Sequence, residues 1–481
     1  MNNFKEKFYI TTSIPYVNAK PHIGHALEFI QADVLARYNR LLGRDVFFLT
    51  GTDEHGSKVP KSAKAAGKPI PEFVNEISDK FRVLTNTLDI SNSHFIRTIE
   101  QGHKKTVTKF WKRCLDAGDI YKGKYEGLYC SGCENYVTES DLLEGKCPVH
   151  KTKPEKIAEE NYFFKWSKYQ KPLLDHYKES SNFVVPKKRF NEIIKFVEQG
   201  LQDISISRST KTLSWGIPVP DDKNQVIYVW FDALINYLSG IGFAEEDDTY
   251  KRYWPADVHL IGKDILRFHA ALWPAMLISA KVPLPKQVYV HGFIGSGGQK
   301  MSKSLGNVVD PVALTEKYGV DAVRYFLLRE IPSDGDGDFT IEKFEKRYKA
   351  DLQNNLGNLV SRVTNLIEKN LDGEIGEKIE LPEQNKTAIE QDIEDYKLHD
   401  ALAKIWEIVS LANKLVDEEK LWELAKNDIK TFRKHCATIL TNLFLVAKLI
   451  APFMSETGKK IEKIVTAKKI QKAEPLFPKI D

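Results

Sequence analysis

Phe8-Tyr9-Ile10-Thr11-Thr12-Ser13-Ile14-Pro15-Tyr16-Val17-Asn18-Ala19-Lys20-Pro21-His22-Ile23-Gly24-His25 is the stretch whose reading decides the fold. Phe8 to Thr12 reads as a short strand, and Pro15 lies in the loop after it. From His25 onward, Leu27, Ile30, Val34, Tyr38 and Leu41 recur at helical spacing, and Gly43 stands where a helix C-cap glycine belongs. Val46 to Leu49 follows as a compact apolar strand. Together these segments predict a β-α-β unit, the opening of a nucleotide-binding α/β domain. In such a sheet the segment between the first strand and the first helix faces ligands at the carboxyl ends of the strands.

Helix N-terminal amides attract phosphate at that position. Gly24 would let a nucleotide approach the backbone. His22 and His25 can donate hydrogen bonds to phosphate oxygens whose charge grows in a transition state. Two histidines flanking a glycine also arise by chance, so the pattern is moderately specific by itself.

A second α/β stretch runs from about Val226 to Tyr325, with strand candidates at Val226 to Trp230, Val258 to Ile261 and Val288 to His291. A helical pattern lies around Ile265 to Leu277. Between the two halves, roughly Asp116 to Pro220, lies a segment with a Cys/His cluster, many aromatics and many lysines. An insertion splitting a Rossmann-like domain is the economical reading. After about Glu342 long helical patterns take over, such as Leu352, Leu356, Leu359, Val363 and Leu366, then Leu440, Leu443, Val446 and Leu449. They predict a helix bundle. The expected division is a first catalytic half at 1–115, an insertion at 116–220, a second half at 221–295, a loop region at 296–345 and a helical domain at 346–481.

Two further clusters carry chemistry. Lys300-Met301-Ser302-Lys303-Ser304 follows the glycine-rich run Gly295-Ser296-Gly297-Gly298, read as a flexible hinge. Lys300 and Lys303 on such a loop can close over a polyphosphate and neutralise a departing pyrophosphate; the plain alternative is an exposed basic loop. Cys130 and Cys133 form C-x2-C, and Cys147 and His150 form C-x2-H after a turn-rich stretch. Three thiolates and one imidazole complete a tetrahedron around Zn2+, and the absence of a fifth candidate points to a closed structural site. Cys114 and Cys436 read as small apolar residues, and His103 and His435 as structural or surface histidines.

The chain of 481 residues, 42% hydrophobic and 28% charged, suits a globular protein of about three units. A formal net charge of +4 does not by itself indicate nucleic-acid binding. The basic run Lys459, Lys463, Lys468, Lys469 and Lys472 can follow a phosphate backbone, although solvated helix faces of this kind are commoner. Five cysteines make no disulfide framework, and no signal peptide or membrane span is legible, so a cytoplasmic setting is expected.

The pair His22-Ile23-Gly24-His25 and Lys300-Met301-Ser302-Lys303-Ser304, in this order and context, resembles the signature of the class I aminoacyl-tRNA synthetases, and the resemblance runs the full length of the chain. Within that class five stretches look like the methionine enzymes of bacterial type. They are Ile14 to Asn18, Gly51-Thr52-Asp53-Glu54-His55-Gly56, Tyr228 to Ala233, Gly262 to His269 and Trp273 to Met276.

The resemblance implies ATP with its Mg2+ at His22, Gly24, His25, Gly262, Asp264, Lys300 and Lys303. It implies L-methionine held at its ammonium by Asp53 and walled by Ile14, Tyr16, Trp230, Ala233, Tyr237, Ile265, Phe268 and His269. Aromatic walls suit a polarizable thioether, and Tyr16 or His269 would supply a polar contact to sulfur. Leu234 stands where many relatives have proline, and Ile204 where some have tryptophan. In the helical part Asn358, Arg362 and Trp422 match anticodon-reading positions, which implies tRNA(Met) as partner.

Among relatives, the cysteine enzyme carries a metal-binding cysteine before its first motif, and Thr11 to Lys20 has none. The isoleucine, valine and leucine enzymes carry a large editing insertion that would not fit between His25 and Lys300. Two readings from other classes remain: a zinc-dependent RNA-binding factor without catalysis, and a small-metabolite nucleotidylyltransferase, which would not explain the helical part. No appended β-barrel of the dimerising kind is legible, so a monomer is expected.

Overall fold

The computed structural model describes residues 5–130, 135–137, 139–149, 151–300, 308–376, 379–380 and 387–480. The chain divides into two compact units. The first comprises Met1–Pro21, Gly43–Asn86 and Ser91–His291; the second comprises His22–Leu42, Thr87–Ile90 and Gly292–Asp481.

A six-stranded sheet organises the first unit, in the spatial order His94–Arg97, Asp45–Thr52, Lys7–Thr12, Val258–Gly262, Val288–His291 and Val184–Val185. Every pairing in it is parallel. Sheets of this kind are covered on both faces, and their strands read as apolar runs, as Phe47-Phe48-Leu49 and Val288-Tyr289-Val290 do. The order reverses between Lys7–Thr12 and Val258–Gly262, and ligands of open α/β sheets bind outside the strand ends at such a reversal. Ile14 and Tyr16 leave the first of these two strands and Lys263 and Ile265 leave the second.

The chain departs from this sheet after Arg97 and builds an antiparallel sheet from Asn135–Val137, Ile120–Cys130, Glu155–Phe164 and Ile204–Ser205. Asp119 anchors its base: the buried carboxylate accepts from Lys168 (2.6 Å), Ser279 (2.8 Å) and the Tyr169 hydroxyl.

The expected strand Val226 to Trp230 differs in the structure. Asp222–Ile227 is a strand, but it pairs antiparallel with Ser207–Ser209 and Pro218–Val219 outside the parallel sheet. Val229–Ala233 is a short helix. The β-branched and aromatic residues favour a strand locally, and tertiary packing of Val229, Phe231 and Ala233 overrides that preference.

The second unit is helical apart from a small sheet of Gln299–Lys300, Ile294–Ser296 and Gly337–Phe339. The first helix, Ile23–Leu41, belongs to it. Its buried Asp33 pairs with Arg324 (2.7 Å) and Arg37 (2.6 Å). Arg324 also donates to the carbonyls of Leu88, Pro452 and Phe453, so a fully buried guanidinium has acceptors around it, as burial requires. Leu359, Val363 and Leu440, Leu443 and Val446 are buried as the helical spacing predicts, with Ile367 and Ile450 buried in preference to Leu366 and Leu449. The run Tyr348–Gly357 is π-helical and shifts the stripe before Asn358–Leu371 begins. Among the described residues no helix is long and apolar enough to cross a membrane.

Candidate active site

In the second unit, His22 is the N-cap of Ile23–Leu41, with extended backbone angles of −140° and 174°. Its Nδ1 accepts the Gly24 N–H (3.1 Å), while the His22 N–H donates to Nδ1 of His25 (3.1 Å). This is a reciprocal capping box built from two histidines, where serine and glutamate are the usual pair. Each Nδ1 acts as an acceptor, so the proton of each neutral ring lies on Nε2. Burial pushes the His22 imidazole down to about 4. Burial and the neighbouring His22 hold His25 well below its ordinary value. The two rings lie 3.9 Å apart, centre to centre.

Gly24 has a role the sequence did not disclose. A Cβ there would sit 2.9 Å from Cε1 of His22, so the missing side chain makes room for the capping ring.

The glycine run before Lys300 forms a tight turn. Gly297 and Gly298 take φ of 63° and 76°, joining Ile294–Ser296 to Gln299–Lys300 as a two-residue hairpin. Asp338 accepts the Gly298 N–H at 2.7 Å and stays below the usual carboxylate range, held by that amide and by Lys343. Lys303 lies outside the described residues, and of Lys300 only the backbone is described.

In the first unit, Asp53 is 2% exposed just past the end of Asp45–Thr52. Its N–H donates to the Pro15 carbonyl (2.9 Å), and its carbonyl accepts from Val17 (3.1 Å), which sets it beside Tyr16. Glu54 next to it is clamped bidentately by Arg97 (2.6 and 2.7 Å).

The expected aromatic wall is brought together. Trp230 stacks on Phe268 (centroids 3.8 Å apart, planes 5° apart) and stands edge-on to Tyr16 and His269. Ala233 is buried, and Ile14 and Ile265 pack against the same core. Leu234 and Ile204 belong to that core too, Leu234 fully and Ile204 in part. Phe268 and His269 open a π-helical turn, Phe268–Leu272, which turns them away from the register of a regular helix.

His269 uses both ring nitrogens. Nδ1 lies 3.0 Å from the Ile265 carbonyl, which only accepts, so Nδ1 carries the proton and Nε2 accepts from the Tyr237 hydroxyl at 2.7 Å. Burial brings its imidazole down to about 4. Gly262 ends its strand beside His291, and Asp264 is exposed in the following turn, Lys263–Ile265.

A buried trio was missed at the sequence level. Asp232 is fully enclosed, with Oδ2 2.6 Å from His55 Nδ1 and Oδ1 2.6 Å from His103 Nε2. Burial alone would raise its carboxyl; His55 and His103 outweigh that and hold it at about 2. The available signal was an acid inside the apolar run Tyr228 to Ile235, since a buried carboxylate needs partners.

Of the zinc-ligand candidates, Cys133 and His150 lie outside the described residues. Cys130, at the end of its strand, and Cys147, in a turn closed by Lys151 N–H, are both buried. Cys114 and Cys436 are buried too, and burial pushes both thiols up to about 12, as inert apolar residues should behave.

In the helical unit Asn358 and Arg362 lie one turn apart on Asn358–Leu371, which packs against Leu421–Asn427, the helix bearing Trp422. Trp422 is 41% exposed, and Arg362 pairs with Asp417 at 2.7 Å.

The family described as tRNA synthetases class I (M) matches residues 8–153 and 138–364. The chain belongs to the class I tRNA synthetases of the methionine type. A methionine–tRNA ligase of Caldanaerobacter subterraneus is 45% identical over 99% of this chain and 79% of its own length. One from Thermotoga maritima is 44% identical over 99% of this chain and 80% of its own length. Among solved structures, Mycobacterium tuberculosis methionyl-tRNA synthetase in complex with methionyl-adenylate superposes with a TM-score of 0.90 at 42% identity, covering 95% of this chain and 94% of that one. Membership in this synthetase family accounts for the parallel sheet, the interrupting insertion and the helical C-terminal part together.

Proposed function

We propose that the chain is a methionine–tRNA ligase, which activates methionine with ATP and transfers it to the 3′ end of tRNA(Met) for initiation and elongation. The single observation that carries this reading is near-full-length identity of 44–45% with methionine–tRNA ligases. In the first step a methionine carboxylate oxygen attacks the α-phosphate of ATP in line. The new P–O bond forms as the bond to the bridging oxygen breaks, giving methionyl-adenylate and pyrophosphate. A terminal ribose hydroxyl of tRNA then attacks the activated carbonyl, the ester forms, and AMP leaves with the electron pair. The substrate itself supplies the nucleophile, so the protein contributes positioning and charge stabilisation.

His22 and His25 would donate from Nε2 to phosphate oxygens, since their Nδ1 atoms are engaged in the capping bonds. Both rings being held neutral suits donation without a competing proton transfer. Gly24, Gly262 and Asp264 would complete the ATP site, with Lys300 and Lys303 taking the pyrophosphate charge. Mg2+ arriving with ATP would neutralise part of the polyphosphate charge.

Asp53 would hold the methionine ammonium, inside a wall of Ile14, Tyr16, Trp230, Ala233, Tyr237, Ile265, Phe268 and His269. The bonds that His269 already makes leave the polar contact to sulfur to Tyr16 or to a Tyr237 hydroxyl that exchanges partners. Asn358, Arg362 and Trp422 would read unstacked anticodon bases, the tryptophan by stacking and the other two at base edges.

Cys130, Cys133, Cys147 and His150 would hold one Zn2+. The burial of Cys130 at its strand end and of Cys147 in its turn supports this, because thiolates bound to Zn2+ are shielded from water. The ion would fix the knuckle and take no part in the reaction. Metal analysis of purified protein should find one zinc per chain, and Cys147→Ser should lower that content.

Pyrophosphate exchange into ATP with each amino acid in turn tests the function. Exchange with methionine alone is the expected result. Selective exchange with another amino acid would keep the class and overturn the pocket, and none at all would favour a non-catalytic RNA-binding factor.

A further inference from the structure

We propose that Asp232, clamped between His55 and His103, is a positioning residue that sets the carboxylate of Asp53 for the substrate ammonium. The inference rests on the reading of Asp53 as the ammonium partner.

Four observations lead to it. Asp232 lies on Val229–Ala233, the helix that carries Trp230 and Ala233, yet it is fully buried and points its oxygens at two imidazoles distant in sequence. His55 belongs to the same turn as Asp53, and its backbone N–H donates to Asp53 Oδ1 at 3.2 Å. His103 lies on Gln101–Asp116 and bonds through its second nitrogen to Ser239 Oγ (2.7 Å), on the short helix Asn236–Ser239 that carries Tyr237. Asp232 and His103 are 0% exposed and His55 is 3% exposed, so the trio is walled off from solvent.

The backbone of Asp53 is fixed on the Tyr16 side by its bonds to Pro15 and Val17. The His55 amide, donating to Asp53 Oδ1, favours one rotamer of that side chain. That amide is in turn oriented by the bond from the His55 ring to Asp232 and by the clamp of Arg97 on Glu54. An apolar residue at position 232 would fill the same volume, and buried ion pairs are poor sources of stability compared with apolar packing. What the trio adds is a fixed bearing between the Asp53 turn and the two short helices of the aromatic wall. A charged hydrogen bond to an ammonium is sensitive to that bearing, whereas contact with a thioether is not.

The test compares methionine with 2-hydroxy-4-(methylthio)butanoate, in which a hydroxyl replaces the ammonium. Pyrophosphate exchange gives the KM for methionine and for ATP, and competition gives the inhibition constant of the hydroxy acid. In D232N and His55→Leu, the methionine KM should rise about tenfold or more, as for one misaligned charged hydrogen bond. The ATP KM and the hydroxy-acid constant should stay within about twofold, because neither involves the ammonium. His55→Asn, whose amide nitrogen falls where Nδ1 lies, should recover most of the loss.

Equal weakening of methionine and the hydroxy acid would overturn the proposal, as would a methionine KM unchanged in His55→Leu or no recovery in His55→Asn. If D232N lacks a cooperative melting transition, the two His55 variants decide alone. An Asp53→Asn variant that kept its methionine KM would sink the ammonium assignment itself, and this inference with it.

Discussion

The proposed amino-acid pocket of the first unit and the proposed anticodon face of the helical unit handle polar groups in opposite ways. Around Asp53, the side chains of Glu54, His55, Asp232 and His269 are buried, and each hydrogen-bonds to a protein partner before any ligand arrives. On the helical face Trp422 is exposed, and Arg362 makes a surface ion pair with Asp417. A site for one small zwitterion must be dry, because water would replace each contact at little cost, so its geometry is fixed in advance. A face for a large polyanion can stay wet, since stacking and long-range attraction supply affinity on contact. The contrast is between rigidity prepared beforehand and contacts acquired on binding.

The largest effect should come from the dry site. Asp53→Asn leaves the substrate ammonium buried without a counter-charge, and methionine-dependent exchange should fall about 10²–10³-fold in kcat/KM. A loss under about tenfold would mean that the pocket is wetter than described. Close behind, His25→Ala removes a proposed phosphate donor and half of the helix cap. Exchange should drop about 10²-fold in kcat, with a methionine KM near that of the unaltered protein.

The wet face should give a smaller and differently distributed loss. Arg362→Ala should lower aminoacylation kcat/KM by about 10- to 100-fold, the value of one base-edge contact, and leave methionine-dependent exchange untouched. Raising salt should reproduce that division, depressing aminoacylation and sparing exchange. Loss of exchange in Arg362→Ala would break the comparison.

The smallest effect is on stability. Burial holds His22 and His269 down at about 4; burial and a neighbouring imidazole hold His25, and the fully buried His259 of Val258–Gly262, well below their ordinary values. The unfolded chain, with histidines near 6.5, therefore binds more protons between about pH 6.5 and 4. Stability from these groups is fully present above about 6.5 and drains away as the pH falls toward about 4, so the melting temperature should decline over that window. His22→Asn, which keeps an acceptor and loses the titration, should flatten the decline.

How much of this was legible in the sequence depended on range. The strands Lys7–Thr12, Asp45–Thr52 and Val288–His291 announce themselves as apolar runs, and His22, Gly24 and His25 fall within four residues. Asp53, Tyr16 and Trp230 were found through resemblance, because no local period joins residues so far apart. His55, Asp232 and His103 escaped for the same reason, as did Asp33 with Arg324: each partner looks ordinary until folding supplies the other. The strand expected at Val226 to Trp230 failed at Tyr228, where the chain turns into a helix to bury Phe231 and Ala233.

The histidine capping box has a consequence for mutational surveys. In most enzymes a helix cap and a reactive edge are different side chains, and selection for thermal resistance can act on one without disturbing the other. Here one ring edge of His22 closes the helix and the opposite edge is the proposed phosphate donor, with Gly24 present to admit that ring. A library scored for melting and a library scored for turnover should therefore return the same intolerant positions at 22, 24 and 25. Elsewhere on that helix the two scores are free to diverge.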